Sequence, residues 1–135
     1  VDVVCVFKEK AENPKLFISE LSSYGDQDYI ILTNPYEEDI MMTGYSITDD
    51  VNEPGKLILP ARALKSGESL KILGESNRET PTSDMIRAGY NLKDGETVTL
   101  YLEGEIIDEV TIPDLGKGNI YKRDMKTLRF FEGKR

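Results

Sequence analysis

Carboxylates are the side chains in this sequence best placed by number and spacing to build a site. Thr48-Asp-Asp-Val-Asn-Glu53 packs three acids, an amide and a hydroxyl into six residues. Calcium takes about six to eight oxygen ligands, and such a loop can supply several. Asp26 and Asp28, or Glu37-Glu-Asp39, could add more from other loops. The spacing does not match an EF-hand loop, and acid-rich turns are ordinary on an acidic protein, so turn formation is expected before ligation. A second constellation is Glu20 with Asp28. Acid–base chemistry needs two carboxyls aimed at one cleft from unequal environments. Nothing in the spacing shows that convergence, and a structural role for Glu20, bonding backbone groups at a sheet edge, is expected. The tyrosines form a third candidate, since Tyr offers contact area at low entropy cost. Tyr24 and Tyr36 fall in loops and are the best exposed of them. No residue is assigned as catalytic, cofactor-binding or metal-ligating.

Several chemistries are excluded by composition. The chain has no His and a single Cys, Cys5. The Ser-His-Asp and Cys-His nucleophiles are therefore absent, as are the commonest zinc ligand and an internal disulfide. Cys5 fits a buried structural residue better than a lipidation site, because Asp2-Val-Val4 precedes it. Gly116-Lys-Gly118 is too short for a phosphate loop. No apolar run approaches the roughly 20 residues of a membrane helix, so no membrane insertion is expected.

The net charge of −8 is unevenly spread. Residues 116–135 hold seven bases against two acids, a net +5, and the other 115 residues carry −13. An acidic body repels nucleic acid at long range. The basic end is expected to pair with the domain's own acids or stay solvated.

These candidates must be positioned by strands. At 135 residues, with 39% hydrophobic and 31% charged residues, the chain fits one ordinary domain. Short β-branched and aromatic runs recur between Gly, Pro, Asn and Asp, the pattern of an all-β sandwich. It predicts strands near 2–7, 16–22, 28–33, 41–48, 56–59, 69–74, 96–102, 105–112 and 126–131. Strand 28–33 is apolar on both faces and is expected to be central and covered on both sides. Glu103-Gly104 reads as a tight hairpin turn. The connection 74–90 is expected to hold one short helical turn, capped near Thr82-Ser83 and stopped at Gly89. Asp108 falls between Ile106 and Val110, on the side that alternation assigns to the core. An unpaired carboxylate there would be costly. Either a bulge rotates it outward or it meets a donor.

An ordered set of short signatures runs along the chain: Phe17-Ile-Ser-Glu-Leu21, Asp28-Tyr-Ile-Ile-Leu-Thr-Asn-Pro35, Thr43-Gly-Tyr-Ser-Ile-Thr-Asp-Asp50, Leu57-Ile-Leu-Pro60, Leu64-Lys-Ser-Gly67 and Asn91-Leu-Lys-Asp-Gly-Glu-Thr-Val-Thr-Leu100. Gly104-Glu-Ile-Ile-Asp-Glu-Val110 and Asn119-Ile-Tyr-Lys-Arg123 follow. Together they resemble the lamin-tail domain in its prokaryotic form. The resemblance implies an immunoglobulin-like β-sandwich with Greek-key-type connections. It divides the single domain 1–135 into an N-terminal strand and charged connector (1–15), a lamin-tail-like sandwich (16–126) and a basic C-terminal strand or tail (127–135). Glu20, Asn34, the Asp49-Asp50 pair, Asp108 and Arg123 match family positions. An Asn side chain can bond the backbone of the turn begun by Pro35, and Asp108 is expected to meet Arg123 or the backbone and so lock the C-terminal segment onto the sheet. There is no Trp and no heptad rod, so a nuclear filament role is not expected.

The functional expectation is a non-enzymatic interaction, adhesion or spacer module without cofactor. It would be tethered to other domains in a longer prokaryotic chain, extracellular or in the cell envelope. Loops 24–28, 35–40, 49–55 and 74–90 would face a protein or glycan, not nucleic acid. The alternative is a calcium-binding or hydrolase-accessory domain using loop carboxylates.

Overall fold

The computed structural model describes residues 14–134. Its apolar runs become short strands wherever a turn residue ends them. β1 (Phe17–Ser22) and β2 (Tyr29–Thr33) are joined through one 3-10 turn at Gly25–Gln27. Past Pro35 come β3 (Ile40–Met41), β4 (Tyr45–Thr48), β5 (Leu57–Ile58) and β6 (Ala63–Leu64), then β7 (Ser69–Leu73) and β8 (Met85–Arg87). Two hairpins finish the chain, β9 (Thr97–Leu102) with β10 (Glu105–Thr111) and β11 (Asn119–Arg123) with β12 (Phe130–Lys134). The first turns at Glu103 and Gly104, whose φ angles of 53° and 82° suit a two-residue hairpin turn.

The strands form a six-stranded sheet ordered β12-β11-β1-β2-β7-β8, a four-stranded sheet ordered β10-β9-β4-β5, and the small pair β3-β6. Neighbours such as β1 and β11, β2 and β7, or β4 and β9 are distant in sequence, as Greek-key-type connections require. This is an immunoglobulin-like β-sandwich. Ile18, Leu21, Ile30, Leu32, Leu70 and Ile72 of the large sheet share a core with Tyr45, Ile47, Val98 and Leu100 of the other. Each such side chain contributes about 1.5–3 kcal/mol by leaving water.

Coverage of the strands differs from expectation in two places. In β2 only Ile30 and Leu32 are buried, while Tyr29, Ile31 and Thr33 stay partly exposed on the outer face. That face is polar, with the hydroxyls of Ser19, Thr33 and Ser69 linked in a row at 2.7 and 3.0 Å. It is β9, between β10 and β4, that is covered on both sides. There Thr99 and Tyr101 are buried as well as Val98 and Leu100.

A bulge in β1 skips Ser19 in the register with β2, so Ile18 and Leu21 both enter the core. A second bulge, in β10, falls at Ile107. It leaves Asp108 opposite Leu100, facing inward, and a donor set meets it there. Asp108 Oδ2 accepts from the Ile18 amide and from Arg123 Nη1, each at 2.8 Å. Arg123 Nη1 also donates to the Ile18 carbonyl at 3.1 Å, and its Nε donates to the Leu128 carbonyl at 2.9 Å. The guanidinium lies against the Phe17 and Phe130 rings. Ladder pairing between β1 and β11 runs only through Glu20 and Leu21, so the side chains of Asp108 and Arg123 take over its role at Ile18.

Several expected elements are corrected. The strand 41–48 splits at Met42–Gly44, where the Tyr45 amide closes a turn on Met42 and Gly44 takes a φ of 88°. The helical turn of 74–90 is absent. Thr82 begins a tight turn, with the Met85 amide on its carbonyl at 3.1 Å. From there β8 runs parallel along the edge of β7. An isolated helical turn has little stability in water, whereas the β7 edge offers backbone partners. β6, β8 and β11 are strands that periodicity did not reveal. The last strand is Phe130–Lys134 rather than 126–131, and it makes the C-terminal segment an edge of the six-stranded sheet. The expected strand 2–7 and Cys5 lie outside the described residues.

Asp108→Asn keeps an acceptor for the Ile18 amide and loses the anion facing Arg123. Breaking a largely buried ion pair costs about 3 kcal/mol. The expected result is a melting temperature lower by several degrees and faster tryptic cleavage at Lys126 or Arg129. Unchanged melting and unchanged cleavage would show that this contact does not hold the C-terminal hairpin.

Candidate binding site

The 24–28 segment and the loop after β7 are hydrogen-bonded into one wall. Gly25 takes a φ of 25°, and the Gln27 amide closes on the Tyr24 carbonyl at 2.7 Å. Asp28 then presents its carbonyl to the Gly74 amide at 3.0 Å and to Asn77 Nδ2 at 2.7 Å. The Arg78 amide reaches the Asp26 carbonyl at 3.1 Å. Arg87, from β8, holds the loop from behind by donating to the carbonyls of Gly74, Asn77 and Glu79 at 2.8–2.9 Å.

In front of this wall, on the outer face of the six-stranded sheet, is an open recess of about 590 Å³. Tyr29 and Lys71 form its floor, and Asp26, Gln27, Asn77, Arg78 and Glu79 rise around it. Lys71 Nζ lies 4.5 Å from the Tyr29 ring centre and 2.6 Å from Glu79 Oε1. Arg78 Nε is 3.3 Å from Asp26 Oδ2. The Tyr29 hydroxyl donates to Glu20, which faces the same way. Lys71 and Arg78 thus each meet an acid, while Glu20 meets a hydroxyl.

Asp28 anchors the wall from inside. It is fully buried; Oδ2 accepts from the Leu92 amide at 2.9 Å, and Oδ1 has no partner among the described residues. Burial pushes this carboxyl above its ordinary range, against the opposing effects of the Leu92 hydrogen bond and the Arg87 charge. The carboxyl lies directly over Gly74, where a Cβ would overlap it. Only glycine allows the close approach.

Other candidates resolve into structural roles. Glu20 and Asp28 do not converge: Glu20 binds a tyrosine hydroxyl on the outer face, not backbone groups at an edge, and Asp28 is buried. In the 48–53 loop, Thr48 Oγ1 and Asp50 Oδ1 bond neighbouring backbone groups. Lys56 Nζ lies 2.8 Å from Asp49 and 3.9 Å from Glu53, over the Tyr90 ring. The hydrogen bond to Asp49 raises the Lys56 pKa, so this loop carries its own cation. Among the described residues no three His, Cys, Asp or Glu side chains converge on a point where a metal could bind. Asn34 performs the expected turn role: Oδ1 accepts from the Tyr36 amide at 3.0 Å, and Nδ2 donates to the carbonyls of Glu38 and Leu64. Tyr24 and Tyr36 are half-buried, one beneath Lys117 and the other against the core. The tyrosine at the recess is Tyr29. Loop 35–40 is tied instead to Ser66. Lys71, Asn77 and Arg87 were not recognisable in sequence, because an Arg or Asn that caps distant carbonyls leaves no local pattern. Lys56, one residue past Pro54-Gly55 and close to the acid run, carried a weak signal.

Residues 9–114 match the Lamin Tail Domain family. The chain belongs to that family. The lamin-tail match includes β1 through β10 and Asp108, and it stops before Arg123 and the second hairpin. Lamin-tail domains are a non-catalytic, immunoglobulin-like family. No curated protein matches the chain. Among the described residues no helix is long and apolar enough to cross a membrane.

Two measurements check this geometry. Because the folded-state pKa of Asp28 lies above its unfolded value, the folded state binds more protons in the window between the two. The stability this group contributes is full below the ordinary carboxylate range and is lost as pH rises through the raised value. The melting temperature of Asp28→Asn minus that of wild type should therefore increase as pH rises through that window; a difference flat in pH contradicts the assignment. For the acidic loop, calcium and a chelator should leave the wild-type melting temperature equal, since Lys56 already balances Asp49. A calcium-dependent rise would reveal a site there.

Proposed function

We propose that this lamin-tail domain is an interaction module carried by a longer prokaryotic surface or secreted protein, which binds a protein or glycan through the outer face of its large sheet. The observation that carries this reading is the recess over Tyr29 and Lys71. Two loops distant in sequence are bonded together there on a rigid strand face, with no nucleophile–base pair among the residues around it. Binding residues held by loops on a fixed scaffold are the usual design of recognition domains.

The charge distribution supports a partner other than nucleic acid. The basic C-terminal segment is committed in part to the fold, with Arg123 on Asp108 and the Asp124 carboxylate accepting from the Lys126 and Thr127 amides. The rest of the chain is strongly acidic. The calcium or hydrolase-accessory alternative has less support, because Lys56 occupies the acidic loop.

Fractionation of source cells, with a blot against this domain, tests the context. The expected band runs well above the size of a 135-residue chain, in the envelope or the medium. A cytoplasmic band at that size would refute the surface-module reading.

A further inference from the structure

We infer that the recess over Tyr29 and Lys71 is a subsite for a neutral saccharide; this rests on the interaction-module reading and names its ligand class.

Charge is the first argument. The two cations at the recess each face an acid, Lys71 with Glu79 and Arg78 with Asp26. A charged ligand drawn to one member of a pair would lie beside the other member, a like charge. An anion would also meet the field of a chain with net charge −8. An uncharged ligand avoids both costs.

Hydrogen-bonding capacity is the second. The Arg78–Asp26 pair engages one nitrogen of the guanidinium and one oxygen of the carboxylate, and the Lys71–Glu79 contact engages one oxygen of Glu79. The remaining guanidinium nitrogens of Arg78 and the second carboxylate oxygens of Asp26 and Glu79 stand side by side around the opening. A sugar hydroxyl both donates and accepts, so a run of hydroxyls can match this alternation. A purely apolar ligand would leave the groups desolvated and unsatisfied.

Shape and adaptability are the third. The volume of about 590 Å³ lies within the usual range for small-molecule sites. The recess is open, which allows one or more units of a chain to enter while the rest continues outside. Its floor is an aromatic ring with an ammonium against it, held by β2 and β7. Its rim is adjustable: Arg78 is 84% exposed and its Asp26 partner 40%, so their pair holds little energy and can shift around a ligand.

The test is an NMR titration of the isotopically labelled 135-residue chain with cello-, chito-, manno- and xylo-oligosaccharides, and separately with an anionic oligogalacturonate. The expected result is saturable shifts at the Gln27, Lys71 and Arg78 amides with at least one neutral sugar at millimolar concentration. Arg78→Ala and Glu79→Ala, both at exposed positions, should each weaken that binding about tenfold without lowering the melting temperature. Three outcomes overturn the proposal: no neutral sugar shifts these amides, the shifts map elsewhere, or only the anionic sugar binds. The fractionation result does not depend on sugar binding, so a failed titration with a large envelope or secreted band refutes the saccharide and leaves the module standing.

Discussion

The pairing of Asp108 with Arg123 closes the structure at the point where its backbone ladder stops. β1 joins β11 through Glu20 and Leu21 and no further. Beyond that, the amide and carbonyl of Ile18 would lack strand partners while their own side chain is fully buried. The carboxylate takes the amide, and the guanidinium takes the carbonyl and the carboxylate together. A single cluster thereby ties β1 and β10 to the β11–β12 hairpin, and so one sheet to the other. Its energy comes less from attraction between charges than from leaving no buried polar group unpaired. Arg suits the position because its planar head can stack on Phe17 and Phe130 while its edges donate in several directions. The bulge at Ser19 belongs to the same solution, since it turns both Ile18 and Leu21 inward.

The opposite edge of the same sheet is organised by a second buried acid, on different terms. Among the described residues, Asp28 has backbone partners and no cation in contact, and one of its oxygens is unpaired. Its burial is unfavourable to the charged form, and Gly74 is the residue that lets the chain pass so close. The result is a loop drawn tightly onto β2, with Arg87 holding its carbonyls. That loop is one side of the recess. The site therefore depends on a locally strained electrostatic arrangement, while the far edge rests on a fully satisfied one. Local departures from stability are common where a fold supports a function.

In the acid-rich 48–53 loop the carboxylates meet groups of the chain itself. The 48–53 loop spends its oxygens on its own turns, and Lys56 sits among the remainder. The same economy recurs at the recess, where each cation faces an acid. At the recess and in the 48–53 loop the cations are matched by acids at short range, even though the total for the chain is −8. That matching makes the recess a polar surface of low local charge within an acidic whole.

The class of fold was legible in residue order, because strand periodicity and turn chemistry are local. Alternation in 96–102, the Glu103-Gly104 turn and the break at Asn34-Pro35 each express a preference within a few residues. Residue order also marked Asp108, since an acid at a core position must be paired or moved. Arg123 was within reach through its place in a family pattern. Tertiary structure alone decided the rest. Whether 82–88 forms a helix or a strand depended on the free edge of β7, which lies outside that segment. The covering of both faces of β9, and of only one face of β2, depended on what the other elements placed over them. The recess could not be read in advance, because Tyr29, Lys71 and Arg78 share no spacing and meet only when the Asp28 carbonyl and the Asp26 carbonyl capture a loop some fifty residues on. Hydrogen bonds between distant backbone groups leave no trace in residue order, and this site is built from them.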